Sequence, residues 1–184
     1  MKHYPKNIVR FVFLLGLCVS TFCSCSSEEE KQSEETVSAF LSSYQSQDPT
    51  CGEYLVGNEE GEVVTFEGFQ SILAAPLSFE IESVDTEDDG YTVNVVITNV
   101  DFGATLESME DDSFEPNSNE ELLQELENRL QADNAATRSF DISVPVTQDQ
   151  KIEMTPQLSN ALLGGYTEYI SNLTMEVLKN EEDN

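Results

Sequence analysis

The chain of 184 residues has no tryptophan, one histidine, four cysteines and eight basic residues, and each scarcity closes a class of function. The histidine is His3, so beyond the first ten positions no imidazole is available to activate a nucleophile or bind a metal. Three of the eight Lys and Arg residues, Lys2, Lys6 and Arg10, also lie in that opening stretch. The rest of the chain sets 36 acidic residues against five basic ones, within a formal net charge of −28 for the whole. Such a surface repels phosphate backbones and anionic headgroups, which excludes nucleic-acid binding and a polybasic membrane contact. No apolar run approaches the roughly 20 residues of a spanning helix. There is no phosphate-cradling glycine loop, nucleophile elbow or paired-cysteine zinc pattern.

What is present begins with a leader. The three basic residues precede an apolar run over 11–22, the arrangement of a signal peptide. Phe22-Cys23-Ser24-Cys25-Ser26-Ser27 follows, with the small Ser24 directly before Cys25, whereas Phe22 precedes Cys23 and Leu17 precedes Cys18. This resembles the lipobox of bacterial lipoproteins, with Phe22 standing where leucine is usual. The resemblance implies that Cys25 is diacylated and becomes the mature N-terminus. Two acyl chains, at about 0.8 kcal/mol per buried methylene, hold a protein on a bilayer without basic residues. The expected organisation is a lipoprotein signal peptide over 1–24, a flexible acidic tether over 25–32, a single α+β domain over 33–178 and an acidic tail over 179–184. An ordinary signal peptide cut near Ser26, or a Cys-x-Cys redox or metal pair, is the alternative for Cys23 and Cys25. In the mature chain only Cys51 remains in the folded part, so no internal disulfide framework can form, and Cys51 is expected to be a partly buried small residue.

With 39% hydrophobic residues the remainder has the material for a core. Val37, Phe40, Leu41 and Tyr44 recur at helical spacing behind Ser33 as N-cap, and a shorter helix is expected over 66–75 before Pro76. Leu77, Phe79 and Ile81, then Tyr91, Val93, Val95 and Ile97 after Asp88-Asp89-Gly90, alternate as a hairpin whose return strand is the more central. Helices are expected over 102–109 and behind the capping pair Ser118 and Glu121. A third strand carries Phe140, Ile142, Val144 and Val146, with Pro145 marking an edge. A short fourth strand is expected at Ile152 and Met154, then a helix opened by Thr155-Pro156 and closed at Gly164-Gly165, then an amphipathic helix through Tyr166, Tyr169, Ile170, Leu173 and Val177.

Ile97-Thr98-Asn99-Val100-Asp101-Phe102-Gly103-Ala104, after a Phe79-Glu80-Ile81 strand and before the helix with its Leu-Leu-Gly-Gly end, resembles small lipoproteins of Gram-positive bacteria. Those carry a domain related to the nuclear transport factor 2-like, or cystatin-like, fold. The resemblance implies a bent antiparallel sheet packed on helices. The short turn over 147–151 and the missing tryptophan imply a shallower cone. Enzymes of that fold use an Asp-His pair or a buried Tyr and Asp; here only a carboxylate with Tyr44, Tyr54 or Tyr91 beside Asp101 or Asp141 is available, and the expectation is that these are core tyrosines and solvated acids. Asp85, Glu87, Asp89 and Gly90 have the opening of a calcium loop, but its twelfth position is Val96 where a bidentate Glu is needed, so the segment is read as a turn. Asn172-Leu-Thr174 matches a glycosylation sequon, incidental in a bacterial protein. The expectation is a non-enzymatic, lipid-anchored, extracytoplasmic domain without cofactor or metal that binds a protein partner. A small-molecule-binding or enzymatic cone and a structural surface lipoprotein are the alternatives, and the oligomeric state is left open.

Overall fold

A computed structural model describes residues 27–58, 63–111, 114 and 116–182. The expected leader, with Cys18, Cys23 and Cys25, lies outside the described residues. The elements run α1 (Glu28–Gln45), a 3₁₀ turn (Pro49–Tyr54), α2 (Phe69–Ala74), β1 (Ser78–Glu87), β2 (Gly90–Val100), α3 (Phe102–Asp111), α4 (Asn119–Leu130), β3 (Thr137–Thr147), α5 (Pro156–Leu162) and α6 (Tyr166–Glu182). The architecture is α+β, with an open, three-stranded antiparallel sheet in the order β1-β2-β3 packed on helices.

The sheet has two unlike faces. Inward, Val93, Val95 and Ile97 of β2 oppose Val144, Ile142 and Phe140 of β3. This face packs under α1 and α5, where Val37, Phe40, Leu41, Leu158, Ala161 and Leu162 complete the larger core. Each such aliphatic side chain taken out of water contributes about 1.5–3 kcal/mol. Outward, Thr98 and Ser139 share a hydrogen bond of 2.8 Å, and Asn94 reaches Ser83 and Asp85 on one side and Ser143 on the other. That face is satisfied by its own polar ladders and needs no cover. The register slips between Ile81 and Ser83. This bulge takes up one residue and returns Val84 to the inward side opposite Val93. Gly90 is required where β2 begins, because a Cβ there would overlap the Val146 carbonyl oxygen.

A second, smaller core joins Leu73 of α2, Val100 of β2, Phe102 and Met109 of α3, and Leu126 and Leu130 of α4. Asn99 ties the two cores together. It is 1% exposed, its amide donates to the Leu162 carbonyl at 2.9 Å and approaches that of Ala161 at 3.3 Å, and its Oδ1 accepts from the Val100 N–H. The open C-terminal carbonyls of α5 are thus satisfied by a strand residue. Gly164 follows at φ +58°, where any side chain would overlap the Val100 carbonyl, and its own carbonyl accepts from the Phe102 N–H.

Several boundaries differ from the sequence reading. Helix α1 begins at Glu28, taking in most of the expected tether, because Ser27 and Glu30 form a reciprocal capping box with bonds of 2.7 and 3.1 Å. Ser33, expected as the cap, is buried mid-helix, its hydroxyl 3.0 Å from both the Glu29 carbonyl and Gln150 Oε1. Helix α2 starts at Phe69, behind Gly68 at φ +53°. The fourth strand reduces to single bridges from Ile152 to Leu55 and to Val146, and Met154 is 45% exposed. Helix α6 continues through Glu182, over most of the expected tail. Ser118 does accept from the Glu121 N–H, but the Glu121 carboxylate turns to Asn117, whose N–H and amide hold its pKa below the ordinary glutamate value.

Candidate docking groove

Two short helices and the end of a long one make a half-open groove of about 440 Å³. Helix α2, stopped by Pro76, contributes Phe69, Gln70 and Leu73. Helix α5, started by Pro156 with the Thr155 hydroxyl accepting from the Leu158 N–H, leads into Leu162 and Leu163 on the opposite wall. Tyr44 comes from the last turn of α1, only 5% exposed, with its ring edge-on to Phe66 at 5.2 Å. Burial pushes its phenol from 10.0 up to about 12, a side-chain hydrogen bond with Gln70 pulls the other way, and Cys51 adds a small upward push. Tyr44 is therefore a neutral polar group at neutral pH, in a lining that also holds Glu67, Gln70 and Ser159 among apolar side chains.

The groove runs on into a helix face. Tyr166 lines the groove and is also the first residue of α6, its ring edge-on to Phe102 at 4.9 Å. Tyr169 packs against Phe102 and beside Gly103, and Glu168 pairs with Arg138 at 3.0 Å. These first residues seat α6 on α3, α5 and the start of β3. Farther along the same face, Ile170 is 39% exposed and Leu173 is 48% exposed. They follow Tyr166 at i+4 and i+7, so the three form one stripe. Helix α4 adds the exposed Leu122 and Leu123 elsewhere on the surface.

Among the described residues Glu67 is the charged side chain that lines the groove, Glu153 is exposed next to Met154 in sequence, and Arg138 stands by the start of α6 paired with Glu168. Arg138 lies over the Phe140 ring at 4.9 Å and faces a smaller polar cleft with Asp101, Glu107 and Glu168. Arg129 donates to Glu125 at 2.7 Å, and Lys151 Nζ donates to the Glu53 carbonyl.

The groove takes in one of the tyrosines singled out from sequence and leaves the other candidate residues apart. Tyr44 lines it. Tyr54 is half-buried against the larger core. The Tyr91 hydroxyl donates to Glu29 Oε2 at 3.0 Å; burial, then the bond to Glu29 and the charges of Glu29 and Glu30, raise its pKa. Asp101 accepts from the Ala104 N–H at 3.0 Å and opens α3, and Asp141 is exposed on β3 opposite Val96. Among the described hydrogen bonds no tyrosine meets either aspartate, so the Tyr-Asp pairings considered above are not assembled. Cys51 is buried, and its thiol is pushed up by burial and by Asp48, whose own carboxyl is lowered by the Thr50 N–H and hydroxyl. Asp85 and Glu87 lie in β1 and Asp89 in the following turn, with Asp85 accepting from the Asn94 amide at 2.7 Å. Asn172 lines the smaller cleft.

Gln70, Leu163 and Tyr166 were not singled out as site residues, and nothing local marks them as such. Asn99 did carry a signal: it is a polar residue on the inward parity of Val93, Val95 and Ile97. Among the described residues no helix is long and apolar enough to cross a membrane. Comparison with protein-family models, curated proteins and solved structures yielded no match.

Proposed function

We propose that this chain is a bacterial lipoprotein, held on the extracytoplasmic face of the cell membrane by diacylated Cys25, whose domain is an accessory module that docks a protein partner. The observation that carries the docking reading is the exposed apolar surface made by the groove and the α6 stripe, in a domain whose buried polar side chains are Ser33, Asn99 and Thr105 among the described residues. Apolar surface of this kind, bordered by acids, is the ordinary mark of an interaction site. An acid-base enzyme of the cone type would want a carboxylate held inside the cavity, and the carboxylate at this groove, Glu67, is exposed. We assign the fold to the nuclear transport factor 2-like, cystatin-like group on the sheet with helices on one face and the helix that follows β2. A small apolar ligand is the second reading, favoured by a groove volume within the usual range of ligand sites and by the Tyr44 hydroxyl as a polar anchor.

The reading is tested on intact cells. Cys25→Ser is expected to move the protein from the membrane to the soluble fraction; unchanged membrane association would sink the anchor. A photoreactive side chain at Leu173 or Met154 is expected to form an adduct of discrete mass, while the same group at Asn94 on the outer sheet face does not. Equal labelling at all three positions, or none at any, removes the docking reading.

A further inference from the structure

The occupant of this surface has a definable chemistry. We infer that the groove and the α6 stripe form one continuous site for a cationic amphipathic helix of the partner protein, an inference that rests on the partner-docking reading above. Continuity is supplied by Tyr166, which belongs to both the groove and the stripe. Helix-in-groove recognition places apolar anchors at i, i+3 or i+4, and i+7. The groove offers a recess for one such anchor between Phe69, Leu73 and Leu163, and Ile170 and Leu173 continue the contact along the helix.

Charge selects among occupants. The chain carries −28 overall, and Glu67 is the charged residue that lines the groove among the described residues. This field draws a positive helix in and repels a negative one. It also opposes a second copy, which would bring the same charge to a small contact. A lipid surface fits poorly: helices that lie on membranes carry Lys and Arg along the polar face, and α6 has Lys179 as its one basic residue.

The test uses the full chain in nonionic detergent at physiological ionic strength, with three fluorescent peptides read by anisotropy. The first is a Leu/Lys amphipathic helix of about five turns. The second is a scramble of the same composition, and the third is the first with Glu replacing Lys. The Leu/Lys helix is expected to bind at least about tenfold more tightly than its scramble, and the double variant Ile170→Ser, Leu173→Ser to lose about tenfold for the helix with little change for the scramble. Both replaced side chains are partly exposed, and an unchanged circular dichroism melt confirms that the variant is folded. Equal binding of helix and scramble, or no loss in the variant, overturns the inference. Preference for the Glu peptide, or no peptide binding while the Leu173 adduct still forms on cells, overturns the cationic chemistry and leaves partner docking standing. A dimer in sedimentation that the double variant dissolves assigns the face to a second copy and overturns the inference as well.

Discussion

The two ends of the sheet are built on different principles. At the end where β1 turns into β2, α1 begins, and contacts between the two are exposed and polar: Tyr91 to Glu29 and Thr86 to Glu30. At the other end, where β2 runs into α3, the contacts are buried: Asn99 to α5, Gly164 against Val100, Phe102 among Phe69, Tyr166 and Tyr169. The first end can lose a contact to water at little cost, whereas at the second an orphaned polar group has nowhere to go. The apolar groove adjoins the buried end, between the short helices α2 and α5.

The sharpest way to break this contrast is at Asn99. Asn99→Ala leaves the Leu162 carbonyl and the Val100 N–H without their partner, while the Ala161 carbonyl keeps the Gly164 N–H, at a cost of about 2–4 kcal/mol. A drop of about 5–15 °C in the thermal midpoint is expected. A change too small to measure would show that the α5 terminus finds other donors. Next in size is a pH effect at Tyr44. Its folded-state pKa is raised from 10.0 to about 12, so its contribution to stability is complete below pH 10 and is lost between about pH 10 and 12. Tyr44→Phe is expected to flatten that part of the alkaline unfolding curve, and tyrosinate absorbance should show one late-titrating phenol that disappears in the variant. If the late phenol persists, another tyrosine is the buried one. The smallest effect belongs to the polar end: Tyr91→Phe removes an exposed bond to Glu29 and should leave the thermal midpoint unmoved within error. A loss comparable with that of Asn99→Ala would erase the distinction between the ends.

The legibility of these features in the sequence follows their range along the chain. The β1-β2 hairpin declared itself through strict alternation and the Asp88-Asp89-Gly90 turn, and α5 through Thr155-Pro156, because the deciding interactions lie within a few residues. The start of α1 is ambiguous in the sequence, since two serines, Ser27 and Ser33, both precede acidic residues; the partner of Ser33 that explains its burial is Gln150, 117 positions away. Alternation at Ile152 and Met154 suggests a fourth strand, but three residues cannot say whether a neighbouring strand exists to pair with. The stripe on α6 was legible as an apolar face, but periodicity is blind to whether such a face is covered. The groove was illegible for the same reason at larger scale: Tyr44, Leu73, Leu163 and Tyr166 come from four elements that meet only in the folded chain.

The start of α1 also bears on how a partner would be met. If Cys25 carries the lipid, Ser26 alone separates it from Ser27, the residue that caps the helix. The anchor would then be joined almost directly to α1, whose Val37, Phe40 and Leu41 belong to the larger core, and not through a long acidic segment. Helix α1 is 18 residues and about 27 Å long, and Tyr44, at the edge of the groove, sits in its last turn. For a partner confined to the same bilayer, encounter with the groove would then be a search in two dimensions.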